Sequence, residues 1–315
     1  MQRLTECLFC GSSDHKFLFQ DADRRFPVER TYEMSRCRSC GLLFLNPQPS
    51  PDDISLHYPL TYDSLQGERL SDARQERRYT ILCGENSNGL KKMLFSPCRL
   101  LLRTLPKRKG GRILDVGCGS GHFLVIARKL SGMDAYGVEP HHYDAEYAAK
   151  HHLSIFKGSL EEAQFPDGFF DVVTLNHVLE HIGDPRSTLR EVRRIVKPDG
   201  TIVVGIPQTR SLLYRLFGRR WWQLDVPRHL FVPSIHNLSR LVEELGFRIS
   251  RVRYNGTPAS ILASLRYWRL DVLDRHRRFD KFRTNRVAFI ALVPIAGLIN
   301  FLKFGDQVEL ILTPR

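Results

Sequence analysis

Four of the seven cysteines fall in two closely spaced pairs, Cys7/Cys10 and Cys37/Cys40. Each pair has the form C-x-x-C-G, in which two thiolates face one ion and the glycine permits a tight turn. Two such pairs, 26 residues apart, predict a structural zinc ion. A redox pair or a chance spacing is the alternative. A segment of about 45 residues buries little core, so removal of zinc should unfold this segment alone.

A second chemical signal is the glycine-rich stretch ILDVGCGSGHF, in which Gly117, Gly119 and Gly121 follow Asp115. Side chains at these glycines would keep a ligand away from the backbone at the C-terminal edge of a sheet. The spacing G-x-G-x-G differs from the dinucleotide fingerprint, and the Lys-Ser/Thr of a phosphate-binding loop is missing. Glu139 ends the next predicted strand, 20 residues after Gly119, where it can accept hydrogen bonds from a ribose diol.

The elements that must position these residues alternate from Arg112 onward, which indicates a parallel α/β sheet. Short runs rich in Val and Ile predict strands at RILDVGC, AYGVEP, LSIFKG, FDVVTLN and TIVVGIP. Predicted helices separate them at HFLVIARKLSG, YDAEYAAKHH and PRSTLREVRRIV.

These ordered motifs resemble the class I S-adenosylmethionine-dependent methyltransferases over about residues 110–255 and the final strand. The resemblance implies an α/β fold with a doubly wound, Rossmann-like, seven-stranded sheet, which FRISRVRYNG and DQVELILTP close as an antiparallel pair. It implies S-adenosylmethionine as cofactor, with a dehydrogenase as the alternative. The cofactor-binding residues that it implies are Asp115, Gly117, Cys118, Gly119, Ser120, Gly121, Glu139, Pro140, Ser159, Leu160, Asn176 and His177.

Roles for these residues also come from the resemblance. In that family the glycine turn cradles the methionine portion, and Glu139 matches the acid that holds the ribose hydroxyls. Ser159 and Leu160 match the pair that flanks the adenine, although many relatives have Asp in place of Ser159. Asn176 and His177 are expected to line the cofactor pocket.

The stretch NHVLEHI places His177 and His181 four residues apart, on one face of a predicted helix, with Glu180 beside them. It lacks the H-E-x-x-H order, so metalloprotease chemistry is not predicted. Glu180 and His181 match family features at the mouth of the site and are candidate catalytic residues. Some quinone-precursor O-methyltransferases bind a divalent ion near this position, where His177 replaces one of their acids. For His181, a helix residue bonded to the backbone is the alternative.

A candidate general base lies in DVPRHLFVPS, residues 225–234, after the fifth predicted strand. This stretch is similar to the P-R-H-L-x-x-F-S segment of zinc-ribbon methyltransferases in sugar and glycan pathways, which implies a catalytic role for His229. A structural histidine that holds the loop is the alternative. Related C-methyltransferases carry an acid where Arg228 stands. Arg228, together with Arg219 and Arg220, is expected to hold a phosphate or carboxylate of the acceptor.

Composition limits the class of protein. Of the 315 residues, 42% are hydrophobic and 26% charged, which excludes wholesale disorder. A net charge of +13 indicates a polyanionic partner, either nucleic acid or an anionic membrane surface, and a basic, soluble enzyme without such a partner is the alternative. The first residues, MQRLTECLFCGSSDHK, are polar where a signal peptide needs an apolar stretch, so we expect no Sec export. The odd cysteine count favours reduced thiols. We therefore expect a cytoplasmic protein, with a peripheral position on the inner face of the membrane as a further expectation.

The C-terminal region contains an insertion that a minimal methyltransferase lacks. Residues 257–286 carry eight Lys/Arg and three Asp, and residues 287–302 contain no charge. As a helix these 16 residues span about 24 Å, less than the roughly 30 Å hydrocarbon core, and Pro294 interrupts them. A basic segment beside an apolar one predicts contact of residues 257–304 with an anionic membrane surface. A buried helical hairpin or a dimer interface is the alternative.

Together these observations predict five segments: a zinc ribbon at 1–50, a helical linker or lid at 51–109, the cofactor-binding core at 110–256, the insertion at 257–304 and a final core strand at 305–315. The predicted reaction is methyl transfer to a small-molecule, sugar or lipid-linked glycan acceptor. The alternatives are an RNA methyltransferase, a quinone-precursor O-methyltransferase and a non-catalytic cofactor-binding protein. Nucleic acid is the less favoured partner, because neither an aromatic-rich basic groove nor an N-P-P-Y-type motif is present.

Overall fold

The computed structural model describes residues 1–26, 28, 30–58, 103–105, 108–141, 143–272 and 285–315. Its strands are β1 (His15–Ala22), β2 (Thr31–Cys37), β3 (Leu43–Leu45), β4 (Arg112–Val116), β5 (Asp134–Glu139), β6 (Ser154–Lys157), β7 (Phe170–Asn176), β8 (Val196–Pro207), β9 (Phe231–Val232), β10 (Phe247–Tyr254) and β11 (Gln307–Pro314). Its α-helices are α1 (Pro51–Ser55), α2 (His122–Ser131), α3 (Ala145–Lys150), α4 (Pro185–Ile195), α5 (Leu212–Phe217), α6 (Ile235–Glu244), α7 (Pro258–Val272) and α8 (Arg286–Phe301).

Seven strands form the central sheet in the order β10-β11-β8-β7-β4-β5-β6. The strands from β4 to β8 are parallel, and β11 runs antiparallel to both β8 and β10. The prediction of a seven-stranded, doubly wound α/β fold with an antiparallel closing pair is confirmed. Because β4, β5 and β7 are parallel, their carboxyl ends meet at one edge of the sheet, where ligands of such folds bind.

The central strands form because their apolar runs are buried on both faces. Every residue of β7 before Asn176 is buried, as expected for a parallel strand covered by helices on both sides. Helix α4 begins at a clear signal, since the Asp184 side chain accepts hydrogen bonds from the Arg186 and Ser187 amides and Pro185 occupies the first turn. Local sequence and burial therefore agree in placing the strand ends that carry the site.

The predicted helix through His177 and His181 is wrong. Strand β7 continues to Asn176, and His177 then adopts a left-handed backbone with φ +54°. Residues Leu179–His181 form only a short 3₁₀ helix. The regular helix starts later because the capping residue and the proline of α4 lie at Asp184 and Pro185.

The N-terminal segment forms three strands of a second sheet, whose strand order is β1-β2-β3-β9. Its fourth strand, β9, comes from the part of the chain that follows β8 of the central sheet. The Phe9 and Phe231 ring centroids lie 5.2 Å apart, so the N-terminal segment also packs against β9 through side chains. Buried residues of both sheets form one hydrophobic cluster. The expectation that the N-terminal segment unfolds alone needs correction, because its core is continuous with that of the central sheet.

Most of the predicted linker or lid at 51–109 lies outside the described residues, including the break predicted near residues 86–89. The described part begins with α1, which Ser50 and Asp53 cap reciprocally. In the insertion, α7 and α8 pack against each other. Among the described residues, none of the helices combines the length and apolar character needed to cross a bilayer.

Candidate active site

A cavity of about 550 Å³ opens at the edge where β4, β5 and β7 end. Gly117, Gly119 and Glu139 line one end of it, while His181 and His229 line the other. A cavity of this size accommodates a small-molecule ligand, and it is continuous between the glycine turn and the two histidines. The site therefore has two ends, which we call the glycine end and the histidine end.

The glycine end is shaped by backbone that a side chain would obstruct. Gly117 has φ +65°, and a Cβ at this position would lie 2.4 Å from Val178 Cγ2. Its amide donates to the Val138 carbonyl over 2.7 Å, which holds the turn against β5. Only glycine fits here, so the turn leaves its backbone open to a ligand.

Glu139 closes the glycine end from β5 and is buried. Its Oε2 accepts from the Gly119 amide over 2.8 Å, and its Oε1 accepts from the His141 amide over 3.0 Å. These two bonds fix the carboxylate at the cavity wall, and each oxygen retains a lone pair for a hydroxyl donor. This arrangement suits the two hydroxyls of a ribose.

The structure separates the twelve predicted cofactor residues into two groups. Eight of them line the cavity: Gly117, Gly119, Glu139, Pro140, Ser159, Leu160, Asn176 and His177. The remaining four, Asp115, Cys118, Ser120 and Gly121, lie outside its lining. Ser159 is engaged locally, because its Oγ accepts from the Glu162 amide over 3.2 Å.

Asp115 has a supporting position. It is fully buried, accepts from Thr174 Oγ1 over 2.6 Å and also accepts from Arg103. Thr174 lies on the neighbouring strand β7, so these bonds tie the end of β4 to β7 beneath the glycine turn. Asp115 therefore positions the turn from behind the cavity.

At the histidine end, His229 is buried and has one ring nitrogen committed to the backbone. Its Nδ1 lies 2.7 Å from the Gln223 carbonyl oxygen. Because a carbonyl only accepts, Nδ1 carries the proton and Nε2 has the free lone pair in the neutral ring. Burial lowers the pKa of His229 below its usual value of 6.5. The ring is therefore neutral at pH 7 and can accept a proton at Nε2.

His181 shares this tautomer. Its Nδ1 lies 2.9 Å from the Arg228 carbonyl oxygen and 3.0 Å from the Tyr58 hydroxyl. Burial, together with the unfavourable effect that two neighbouring imidazolium charges would have on each other, lowers the pKa of His181 to about 4. The two imidazole centroids are 4.8 Å apart, so the cavity wall contains two neutral rings in contact. The expected backbone hydrogen bond of His181 is present, although it comes from the 225–234 loop instead of a helix.

Glu180 lies beneath both rings and is completely buried. His177 Nδ1 is 3.0 Å from its Oε1, and His229 Nε2 is 3.9 Å from the same oxygen. Burial alone would raise the pKa of Glu180, but the bond to His177 and the nearby imidazoles lower it. The carboxylate is therefore ionised and is placed to compensate a positive charge on a neighbouring ring.

Glu180, His181 and His229 also form a donor set for a metal ion, because one ligand atom from each lies within 4.8 Å of the others. Glu180 Oε2 is buried and has no hydrogen-bond partner among the described residues. Imidazole nitrogens and a carboxylate suit a first-row divalent ion. A cation bound here would act as a Lewis acid toward an acceptor oxygen.

The prediction that Arg228 binds the acceptor is wrong. Its side chain is fully buried and pairs with two carboxylates, Asp23 at 2.7 Å and Asp225 at 2.6 Å. Arg219 and Arg220 do not line the cavity either, and Arg220 pairs with Asp271 at 2.8 Å. The loop uses Arg228 to bind the N-terminal segment, so the guanidinium cannot reach a ligand.

Sequence reasoning missed cavity residues that come from distant parts of the chain. Arg25 and Tyr58 precede the central sheet, Trp222 follows α5, and Gln307 begins the last strand. The Arg25 guanidinium lies 5.1 Å from the Trp222 ring centroid, and the Tyr58 ring stacks on His141 with centroids 4.8 Å apart. No spacing along the chain indicates these contacts, because they depend on how the N-terminal sheet packs.

The four predicted zinc ligands are brought together in a separate cluster. The sulfur atoms of Cys7, Cys10, Cys37 and Cys40 all lie within 4.8 Å of one another. The Cys7–Cys40 and Cys10–Cys37 sulfur distances are both 3.6 Å. A tetrahedral zinc ion with bonds of about 2.3 Å separates its sulfurs by about 3.8 Å. The hydrogen bond from Cys7 lowers the pKa of Cys40 to about 5, so one thiolate forms readily.

Comparison with known proteins identifies the family to which the chain belongs. Residues 91–252 match a family model described as a methyltransferase domain, and this match spans just over half of the chain. The chain belongs to this methyltransferase family. It contains a class I S-adenosylmethionine-dependent methyltransferase domain, whose glycine turn and Glu139 form the glycine end of the cavity.

Three relatives illustrate the range of this methyltransferase family. The uncharacterized methyltransferase YcgJ of Bacillus subtilis is 32% identical over 111 residues, which cover 33% of this chain and 44% of YcgJ. Its crystal structure is 16% identical, covers 69% of this chain and 96% of YcgJ, and has a TM-score of 0.43. The mitochondrial ubiquinone biosynthesis O-methyltransferase of Schizosaccharomyces pombe is 37% identical over 116 residues (34% and 41% coverage). The tRNA U34 carboxymethyltransferase of Desulfotalea psychrophila is 31% identical over 157 residues (47% and 48%). This chain thus spans less than half the length of each of these curated relatives.

Proposed function

We propose that this methyltransferase transfers a methyl group from S-adenosylmethionine to a sugar or other hydroxyl-bearing small molecule, including lipid-linked glycans. One observation carries the proposal: a single cavity connects the glycine end, which suits the cofactor, with a neutral, buried histidine whose Nε2 is free. The two reacting partners would meet inside one cavity, and such positioning can supply about 7–11 kcal/mol of the barrier reduction.

The residues of the glycine end fit S-adenosylmethionine. The open backbone at Gly117 would accommodate the methionine portion, the Glu139 carboxylate would accept from the ribose hydroxyls, and Leu160 would pack against the adenine. When bound, the cofactor supplies an electrophilic methyl group on its sulfonium. The protein's own part is to orient this group toward the histidine end and to exclude water.

At the histidine end, His229 acts as the general base in this proposal. Its Nε2 takes the proton of the acceptor hydroxyl, and the Gln223 carbonyl keeps the opposite nitrogen protonated. The carboxylate of Glu180, 3.9 Å from Nε2, stabilises the imidazolium that forms. A base within hydrogen-bond reach contributes a rate factor of about 10²–10⁴.

The walls of the histidine end support a polyhydroxylated acceptor. Trp222 offers an aromatic surface, and Gln223 and Asp225 place an amide and a carboxylate beside it. Hydroxyl groups both donate and accept hydrogen bonds, so they can use both kinds of side chain. A metal-dependent quinone-precursor O-methyltransferase is the second candidate, because Glu180, His181 and His229 also form a donor set.

Transfer of tritium from methyl-labelled S-adenosylmethionine to extracts of the source cells tests the acceptor class. We expect label in the glycan and glycolipid fractions, and we expect little of it with a His229→Asn variant. Label confined to RNA would contradict the proposal. Activity that a chelator abolishes and Mg²⁺ or Mn²⁺ restores would favour the quinone-type reaction.

We also propose that Cys7, Cys10, Cys37 and Cys40 hold a structural zinc ion. Native mass spectrometry should find one zinc per chain, which a Cys37→Ser variant loses and a Cys118→Ser variant keeps. Removal of the ion should lower the melting temperature and also reduce turnover, because β9 begins only two residues after His229. A zinc-free protein with unchanged melting temperature and turnover would reject this role.

A further inference from the structure

Helix α8 presents a continuous apolar face to solvent. After Arg286 the exposed residues are all uncharged, and they recur at helical spacing. These residues are Val287, Ile290, Ala291, Pro294, Ile295, Leu298, Phe301 and Leu302. Val287 and Phe301, near the two ends of the face, are 77% and 79% exposed. Exposed apolar surface of this extent marks an interaction site in soluble proteins.

The orientation of this face is fixed by the opposite side of the helix. Asn300 is buried and makes two hydrogen bonds to Gly256, each 2.9 Å long, through its amide nitrogen and its oxygen. Ala296, one turn earlier, is also buried. Since Asn300 binds the backbone that follows β10, α8 cannot turn its exposed face inward without breaking these bonds.

Neighbouring residues extend the face and add positive charge. The Leu212 amide donates to the Phe304 carbonyl over 3.0 Å, which places α5 beside the end of α8. Leu216 of α5 is 66% exposed, and the Arg215 guanidinium lies 5.6 Å from the Phe304 ring centroid. Together with the exposed face of α8, Phe304, Leu216 and Arg215 form what we call the α8 surface.

The segments that form the α8 surface or pack against it carry mostly positive charge. Residues 210–222, 258–272 and 285–305 contain eight Lys/Arg and one acid, Asp271. Asp271 is neutralised by ion pairs with Arg24 at 3.0 Å and Arg220 at 2.8 Å. An apolar face bordered by cations is complementary to the interface of a bilayer that contains anionic lipids.

We propose that the α8 surface binds the interface of an anionic membrane, with α8 lying parallel to the bilayer plane. The helix has 16 residues, about 24 Å, so it is too short to span the roughly 30 Å hydrocarbon core. A two-fold contact between copies of this chain would bring like-charged borders together, which is unfavourable. Lipid headgroups supply the opposite charge, and acyl chains accept the apolar side chains.

The same arrangement brings the membrane close to the histidine end of the cavity. Helix α7 packs on α8, and its Ser264 Oγ accepts from the Trp222 amide over 3.0 Å. The Trp222 and Tyr267 centroids are 5.4 Å apart, while Trp268 on the same helix is 48% exposed. A lipid-linked acceptor could therefore reach the cavity from the membrane, a step that rests on the proposed function.

Cosedimentation of the full chain with vesicles tests the surface without any substrate. The probes are vesicles of phosphatidylcholine alone and vesicles with equal parts of phosphatidylglycerol, each at about 0.1 M and about 0.5 M NaCl. We expect binding to the anionic vesicles at low salt, weakened at high salt. A double variant Ile290→Asp/Leu298→Asp should bind about tenfold more weakly or worse. Phe17→Asp, which changes an exposed apolar residue of β1 away from this surface, should bind like the parent chain.

A second measurement does not depend on the folding of these variants. Brominated lipids should quench the fluorescence of the unaltered protein, and a Trp268→Phe variant should lose most of this quenching. Absence of vesicle binding, or binding that ignores lipid charge, would overturn the proposal. A dimer in lipid-free solution that the double variant dissociates would assign the surface to a second copy and overturn it as well. Failure of methyl transfer alone would count against the proposed function, since neither vesicle measurement requires it.

Discussion

A His229→Asn variant is expected to lose turnover by about 10²–10⁴-fold while it binds S-adenosylmethionine with unchanged affinity. Asparagine can keep the hydrogen bond to the Gln223 carbonyl, but it has no basic nitrogen at the position of Nε2. The glycine end, which should hold the cofactor, does not include His229. We would measure kcat and the cofactor Kd for the parent enzyme and the variant, the Kd by titration calorimetry.

The pH profile separates a base from a structural histidine. Burial lowers the pKa of His229 below 6.5, so the neutral ring predominates at pH 7 and kcat/KM should fall only in acid, below pH 6.5. The variant should lose this acid limb. His236→Asn, at an exposed histidine of α6, is the matched control and should preserve both rate and profile. A His229→Asn enzyme with near-normal turnover would leave His229 with only a role in holding the loop.

Replacement of Arg228 by Met is expected to destabilise the protein by about 3–5 kcal/mol, because it removes the guanidinium that two buried carboxylates share. Arg228 is fully buried and forms paired hydrogen bonds with both Asp23 and Asp225, at 2.6–3.1 Å. Chemical denaturation at pH 7 measures the loss. Arg240→Met is the matched control: that side chain is 63% exposed, lies 3.6 Å from Glu244, and should matter by less than about 1 kcal/mol.

The difference between the parent chain and Arg228→Met should shrink in acid. Burial opposes ionisation of Asp225 and Asp23, but Arg228, with Arg25 at Asp225 and His57 at Asp23, lowers the pKa of each. A carboxylate whose pKa is lowered in the folded state stabilises the fold at pH values above its unfolded pKa of about 3.9. This stabilisation is lost as the pH falls through the folded-state pKa. The free energies of unfolding of the two proteins should therefore begin to converge as the pH falls below about 4. A loss of unfolding free energy that stays constant from pH 7 to pH 3 would show that Arg228 stabilises the protein through packing and not through its charge.

Local patterns were sufficient for the parts of the fold and site that local chemistry determines. The glycine spacing, the acid at the end of β5 and the two C-x-x-C-G turns each depend on a few neighbouring residues. Buried strands such as β7 are recognisable because both of their faces are apolar. The helix expected at residues 177–181 failed for a local reason as well, since the capping Asp184 and Pro185 delay the helix start.

Contacts between distant segments could not be predicted in this way. Arg228 is predicted to bind an anion because Arg219 and Arg220 lie nearby in the sequence, whereas its partner Asp23 is 205 residues away. Tyr58 and Arg25 line the cavity although both precede the central sheet in the chain, and β9 joins that part of the chain to the residues around His229. Side-chain roles of this kind depend on tertiary packing, which neither periodicity nor motif spacing encodes.

The shared strand β9 makes the cavity a composite of two separate segments of the chain. The glycine end lies wholly within the region that matches the methyltransferase family, residues 91–252. Arg25 and Tyr58, which help to wall the cavity, come from outside that region. Chimeras that exchange the N-terminal segment should therefore change which acceptor is accepted without altering the methyl donor.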